Sequence, residues 1–292
     1  MSSLILKGKI VADSIKKDLE EDLIELKNKG IVPKLVAILI GNDPASEIYV
    51  KSKHSTFLKN NCLSDILRFP ANTSEDILLK IIEKLNSDDS VHGILLQLPL
   101  PKHLDSNIVL NKINPLKDVD GFHPENLGLL LQGNPRFIPC TPYGCLKILE
   151  FYDIPVNSKH VVVVGRSNIV GKPIMALLSQ KFKIGNATVT ICHTGTDNLG
   201  SFTKQADIII AATGVPKMIT SDMVKDNCVI VDVGINRIDD ESDRGYHIVG
   251  DVDYEKIVNK VYAITPVPGG VGPMTITMLL YNTIQSAKNK SF

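Results

Sequence analysis

The stretch Val161-Val162-Val163-Val164-Gly165-Arg166-Ser167-Asn168-Ile169-Val170-Gly171-Lys172-Pro173 decides the fold class. Four valines without a polar interruption read as a parallel strand buried on both faces, because a strand covered on one face alone would alternate. Gly165 opens a turn, and Pro173 begins the apolar run Ile174-Met175-Ala176-Leu177-Leu178. Proline is tolerated there, in the first turn of a helix, where its missing N–H costs nothing. Strand, glycine turn and helix form the βα unit whose unpaired backbone N–H groups and positive helix end receive a phosphate. The passage implies a dinucleotide site. The usual G-x-G-x-x-G spacing is absent, since Ser167 replaces the second glycine and Gly171 falls one residue late. By itself the passage also fits any βα turn of an α/β protein.

Around this unit the rhythm continues. Strands are predicted at 161–164, 188–192, 207–211, 228–233 and 261–264, with helices between several of them. Arg237 to Val249, acidic and carrying Arg244-Gly245, reads as an exposed hairpin or arm. Upstream, Ile15, Leu19, Leu23 and Leu26 give residues 10–29 a helical period that Gly30 stops. Leu35 to Ile40 is a strand, and Asp43-Pro44 starts a helix running to about Asn60. Ile66 to Phe69 is a short strand, Glu75 to Leu85 a helix, and Gly93 to Leu98 a strand closed by Pro99 and Pro101. Alternating β and α elements imply a parallel sheet covered by helices in this half too. Pro139-Cys140-Thr141-Pro142 marks the boundary between the halves, before a helix from Tyr143 to Phe151. A final helix follows the Pro/Gly-rich run from Thr265 to Pro273.

At 292 residues the chain accommodates two domains of ordinary size. Lys+Arg and Asp+Glu are equal at 32 each, so no global field steers the protein to nucleic acid or an anionic membrane. An anionic ligand must be held by a few local cations. No apolar stretch approaches the ~20 residues of a membrane span. The N-terminus mixes Lys7 and Lys9 among its apolar residues, unlike a signal peptide. The five cysteines form no C-x-x-C pair, which argues against both a disulfide framework and a zinc site. A reducing cytoplasm is expected.

Several residues are candidates for chemistry. Tyr49 and Lys53 lie four apart on one helix face, where a ring can stack on a flat ligand while an amine moves a proton. Lys51 and His54 share the helix, and pattern alone does not choose among them. Gln97 is polar near the carboxyl end of a buried strand, where ligands of open α/β sheets bind. It either anchors a loop or orients a catalytic group. Asp118 and Asp120 precede Gly121, and each is a turn former or an acceptor for paired N–H groups of a heterocycle. No further ligands cluster near them at metal spacing, so no metal is expected.

The cofactor reading rests on charge. NAD sites place an acid at the end of the second strand, about 20 residues past the glycine turn, to accept from the ribose 2′-hydroxyl. Here Cys192 is followed by His193-Thr194, with no acid before Asp197, while Arg166 stands in the turn. That arrangement favours a 2′-phosphate, hence NADP over NAD.

Taken together, five segments resemble one family. They are Gly41-Asn42-Asp43-Pro44-Ala45-Ser46 leading into Tyr49-Val50-Lys51-Ser52-Lys53, then Gly93 to Pro101, Lys117 to Phe122, Gly165 to Pro173, and Pro266 to Thr275. In that order they are similar to the bifunctional methylenetetrahydrofolate dehydrogenase/methenyltetrahydrofolate cyclohydrolase family, over nearly the whole chain. The resemblance implies an α/β fold of two domains meeting at a cleft. A folate-binding catalytic domain would comprise residues 1–140 and 270–292, and a Rossmann-like, doubly wound NADP-binding domain residues 141–269.

The resemblance also assigns roles. Lys53 would transfer protons, Tyr49 would be the stacking platform, Gln97 would orient Lys53, and Asp120 would accept from the pterin. Leu98 and Pro268, Gly269, Gly270, Val271 and Gly272 would border the folate. Gly165, Arg166, Ser167, Thr194 and Ile235 would border NADP. A tetrahydrofolate derivative as substrate and a homodimer joined through the nucleotide domains are implied as well. Two departures stand out: a few extra residues around Lys181 to Gly185, and Thr194 where serine is common in the family. The competing readings are an NADP dehydrogenase of another small substrate and a non-catalytic nucleotide-binding module. The first leaves Tyr49, Lys53, Gln97 and Asp120 without a joint role, and the second needs only the second half of the chain.

Overall fold

A computed structural model describes residues 3–241 and 245–289. The chain divides into two compact units, one of residues up to Asp13 with Thr141–Thr275, the other of Ser14–Cys140 with residues from Ile276 onward. Along the chain the elements are β1 (Leu4–Ile5), α1 (Gly8–Asn28), β2 (Lys34–Ile40), α2 (Pro44–Lys59), β3 (Leu63–Phe69), α3 (Glu75–Ser87) and β4 (Gly93–Leu96). There follow α4 (Ser106–Lys112), α5 (Pro124–Leu131), α6 (Cys140–Phe151), β5 (His160–Val164), α7 (Gly171–Ser179), β6 (Thr188–Cys192), α8 (Leu199–Thr203) and β7 (Ile208–Ala211). The last are β8 (Val229–Asp232), β9 (Asn236–Asp239), β10 (Tyr246–Val249), α9 (Tyr254–Ile257), β11 (Ala263–Ile264) and α10 (Val271–Asn289).

In the unit of Ser14–Cys140, β2 is the centre of a three-stranded parallel sheet in the order β3-β2-β4. Leu35 to Ile40 are all buried, and Val36, Ile38 and Ile40 pack with Leu78 and Ile82 of α3 and with Ile94 and Leu96 of β4. The strand β3 begins at Leu63, three residues before the sequence reading placed it. It is an edge strand, where polar residues such as Ser64 and Asp65 are tolerated, and Asp65 pairs with Lys34 at 2.8 Å. The strand β4 ends at Leu96, two residues earlier than expected. Gln97 N still donates to Ile38 O at 2.9 Å, but Pro99 has no N–H to continue the ladder. The helix α2 starts where expected because Asp43 accepts from Ser46 N at 2.7 Å and Pro44 follows it.

The other unit holds a six-stranded, wholly parallel sheet in the order β1-β11-β8-β7-β5-β6. Val161 to Val164 lie between β6 and β7 and are at most 2% exposed, as a strand covered on both faces requires. The chain leaves β5 for β6 on one side and reaches β7 on the other. The carboxyl end of β5 is therefore a topological switch point, and Gly165 begins there. The two-residue β1, too short to show a period, joins the sheet's edge beside β11. The helix α6 starts at Cys140 rather than Tyr143, because Pro142 falls in its first turn where no N–H is missed. The expected hairpin is β9 paired antiparallel with β10, Asn236 opposite Val249. Arg244 lies outside the described residues.

Candidate active site and cofactor-binding turn

Lys53 is 5% exposed on the inner face of α2, with Val50 and Phe57. Its Nζ donates to Gln97 Oε1 at 3.1 Å and lies 4.8 Å from the Tyr49 ring centroid, close enough for cation–π attraction. Gln97 Nε2 donates in turn to Leu98 O at 2.8 Å, so the amide oxygen is held toward the lysine. Turned over, the amide would set donor against donor. Lys51, by contrast, is exposed and 3.6 Å from Glu47.

The two aspartates of Lys117-Asp118-Val119-Asp120 have separate surroundings. Asp118 accepts from His123 N and Asn126 Nδ2, both at 2.8 Å, and holds the turn. Asp120 feels the charge of Lys53, and the neighbouring Cys140 thiol donates to Val119 O at 3.5 Å. Asn282 of α10 fixes the backbone beside it, donating to Val119 O at 2.8 Å and Ile138 O at 3.0 Å. Burial lowers the pKa of Lys53, and the Asp120 charge opposes that shift. Burial likewise raises Asp120, with Lys53 opposing. A lysine drawn toward neutrality beside an acceptor of fixed direction is able both to take and to return a proton. Cys140 had no role in the sequence reading. Its place after Pro139 at the start of α6 was the available signal.

In the other unit, Gly165 has φ +135, and a Cβ there would lie 2.2 Å from Ala212 O. A Cβ on Gly171 would lie 2.0 Å from Gly165 O. Both positions need glycine for the turn to close. Ser167 Oγ accepts from Val170 N at 3.1 Å and Gly171 N at 3.3 Å, so this serine shapes the turn. Arg166 is exposed, its Nη1 3.4 Å from His193 Nε2 at the end of β6. No carboxylate pairs with Arg166 among the described residues. Thr194 is exposed next to His193. An unneutralised guanidinium, a hydroxyl and a turn with no room for side chains fit a phosphorylated dinucleotide.

The same unit contains a cavity of about 260 Å³ lined by Ile235, Ile248 and the loop Pro266 to Pro273. It brings Ile235 together with Pro268, Gly269, Gly270, Val271 and Gly272. Asp232 and Gly234 also line it, and the sequence reading gave Asp232 no part. A hydrogen-bonding aspartate at the end of an apolar strand was its only sequence signal.

A parallel sheet with a glycine turn at its switch point, in a chain whose other unit presents a buried lysine, defines a nucleotide-dependent α/β enzyme. Residues 6–120 match the family model for the tetrahydrofolate dehydrogenase/cyclohydrolase catalytic domain, and residues 139–291 match that for its NAD(P)-binding domain. The chain belongs to the tetrahydrofolate dehydrogenase/cyclohydrolase family. It is 53% identical over 287 residues to the bifunctional protein FolD of Chlorobium chlorochromatii, covering 97% of each chain. A crystal structure of the bifunctional FolD enzyme from Campylobacter jejuni superposes with a TM-score of 0.93 at 48% identity, over 99% of this chain and 100% of that one. The Trypanosoma brucei enzyme, solved with NADP cofactor and an inhibitor, gives 0.94 at 34% identity over 100% and 99%.

Proposed function

We propose that this protein oxidises 5,10-methylenetetrahydrofolate to 5,10-methenyltetrahydrofolate with NADP⁺ and then hydrolyses the product to 10-formyltetrahydrofolate. The observation that carries the reading is Lys53, buried against Tyr49 and hydrogen-bonded to Gln97, in a chain that matches both family domains. The unit of Ser14–Cys140 is taken as the folate-binding part and the parallel six-stranded sheet as the NADP-binding part.

The bound nicotinamide supplies the hydride acceptor for the first reaction. Loss of hydride from the methylene carbon leaves a cation shared between two nitrogens, and no proton moves. The protein's task in that step is alignment. Tyr49 offers a flat face to the substrate, and Asp120 accepts N–H groups of the pterin. Leu98 and Pro268 to Gly272 border the folate.

In the second reaction water attacks the methenyl carbon. Lys53, as the amine, takes a proton from that water. As the ammonium it gives one to the nitrogen that departs when the ring opens, while the second proton of the attacking water passes to solvent and the formyl group is left on the other nitrogen. The Gln97 oxygen keeps the Nζ directed through both transfers. Gly165 and Ser167 shape the cofactor turn, Arg166 and Thr194 would hold the 2′-phosphate, and Ile235 would border the cofactor. A homodimer joined through the NADP-binding unit and residence in a reducing cytoplasm complete the reading. All five cysteines are free and buried, which supports that compartment. Among the described residues no helix is long and apolar enough to cross a membrane.

Purified protein given 5,10-methylenetetrahydrofolate with NADP⁺ or NAD⁺ tests this proposal. Reduced-nicotinamide absorbance and a transient methenyl absorbance are expected with NADP⁺. Cofactor reduction with another hydride donor alone would favour a different dehydrogenase.

A further inference from the structure

Two buried carboxylates, neither given a role above, stand at the carboxyl edge of the six-stranded sheet. Asp232, the last residue of β8, accepts from Gly234 N at 2.9 Å, Asp251 N at 3.0 Å and Val252 N at 3.0 Å. Asp251 accepts from Thr213 N at 2.5 Å and Gly214 N at 3.0 Å, just past β7, and from Asn236 Nδ2 at 2.8 Å, at the base of the hairpin. One carboxylate therefore holds the backbone of the other, and together they tie the loops after β7 and β8 to the segment returning from β10. We propose that Asp232 and Asp251 are positioning residues that set the backbone of Thr213–Gly214 and Gly234–Ile235 for the nicotinamide cofactor.

The surrounding glycines make room for these carboxylates. A Cβ on Gly250 would lie 1.8 Å from Asp232 Oδ2, and one on Gly234 would lie 2.2 Å from Asp251 Oδ1. The loops concerned follow adjacent strands at the edge where nucleotides bind in open α/β sheets. Asp232 and Gly234 also line the cavity that Ile235 shares with the Pro266–Pro273 loop. A residue kept only for stability would not be expected to be a buried carboxylate. Burial pushes Asp232 up to about 6, so its ionised form opposes folding at neutral pH. That opposition is what a site-building residue tolerates.

The inference rests on the NADP reading, so wild-type NADP⁺ binding is measured first, by calorimetry on the whole chain. Absence of wild-type binding sinks that reading. Wild-type binding that the variants leave unchanged sinks only this inference. Asp232→Asn keeps the shape but sets an amide donor against a backbone N–H. It is expected to weaken NADP⁺ at least tenfold and leave folate-analogue binding within about twofold. Equal losses for both ligands would overturn the proposal. Asn236→Asp, on the less buried hairpin, opposes one carboxylate to another and is expected to raise the KM for NADP⁺ about tenfold with a smaller effect on kcat. Adding Asp251→Asn restores a donor–acceptor pair, because its amide oxygen accepts from Thr213 N and Gly214 N while its NH₂ faces the new aspartate. Recovery of the NADP⁺ KM in the double variant is expected. A double variant no better than Asn236→Asp would overturn the proposal even if Asp232→Asn does not fold.

Discussion

Lys53 Nζ and Gln97 Oε1 are 3.1 Å apart, and that contact links the middle of α2 to the residue that follows β4. Gln97 is fixed from both sides, its backbone N–H on Ile38 O and its side-chain NH₂ on Leu98 O. The direction of the lysine is thus set by the edge of the sheet and not by the helix alone. Gln97→Met removes the acceptor while keeping length and bulk. The expected loss is about tenfold in cyclohydrolase kcat, the worth of one such hydrogen bond, with little change in NADP⁺ KM. An unchanged kcat would remove Gln97 from the mechanism.

Lys53→Met separates the two reactions. Hydride transfer requires no proton removal, whereas hydrolysis requires protons to leave water and to reach the departing nitrogen. Loss of a general acid/base is expected to lower cyclohydrolase activity about 10²–10⁴-fold. Dehydrogenase activity should fall less, and methenyltetrahydrofolate should accumulate. Following methenyl and NADPH absorbance together checks this. Wild-type hydrolysis of added methenyltetrahydrofolate by the variant would exclude Lys53.

Asp120→Asn is expected to weaken folate binding and so both activities, by about 2–4 kcal/mol if two N–H groups lose a charged acceptor in a desolvated site. The Cys140 and Asn282 contacts to Val119 O stay in place, so the backbone should not move. Calorimetry that shows unchanged folate binding would refute the role. NADP⁺ affinity should be unaffected.

Arg166→Ala should discriminate between cofactors. Among the described residues Arg166 meets a histidine nitrogen, at 3.4 Å, and no carboxylate, so its charge is available to a 2′-phosphate. An Arg–phosphate contact contributes about 1.5–3 kcal/mol, roughly ten- to a hundredfold in affinity. NADP⁺ should lose that much and NAD⁺ much less. Equal losses in steady-state kinetics would sink the assignment.

What the sequence disclosed followed from which signals are local. The valine run gave β5 to within one residue, and Asp43-Pro44 gave the start of α2, because burial on two faces and capping are written in adjacent residues. The end of β4 and the start of β3 were misplaced, because pairing depends on a neighbour far along the chain. Lys53 could not be told from Lys51 and His54 by pattern. The choice comes from the burial of one face of α2 and from Gln97, 44 residues away. The Asp232–Asp251 pair was invisible for the same reason. Each is an ordinary acid in a strand or loop until the fold brings the two together across a separation of 19 positions.

The pH dependence of stability offers a last check, on Asp232. Its carboxyl is pushed up to about 6 by burial, against three backbone N–H groups that favour the anion and the nearby Asp251 that does not. An unperturbed aspartate titrates near about 3.9. Between those values the folded state holds a proton that the unfolded state has released, so stability falls as pH rises across that window. Below about 4 both states are protonated and the group contributes nothing. Above about 6 the penalty is complete, about 3 kcal/mol at most for two units at about 1.4 each. Asp232→Asn cannot titrate. The stability of the wild type relative to this variant should therefore decline from pH 4 to 6.5 and then level off. Denaturant melts of both proteins at half-unit pH steps measure it, and the difference between them cancels the other carboxylates. A difference that rises with pH would mean that the three N–H groups outweigh burial and hold Asp232 ionised.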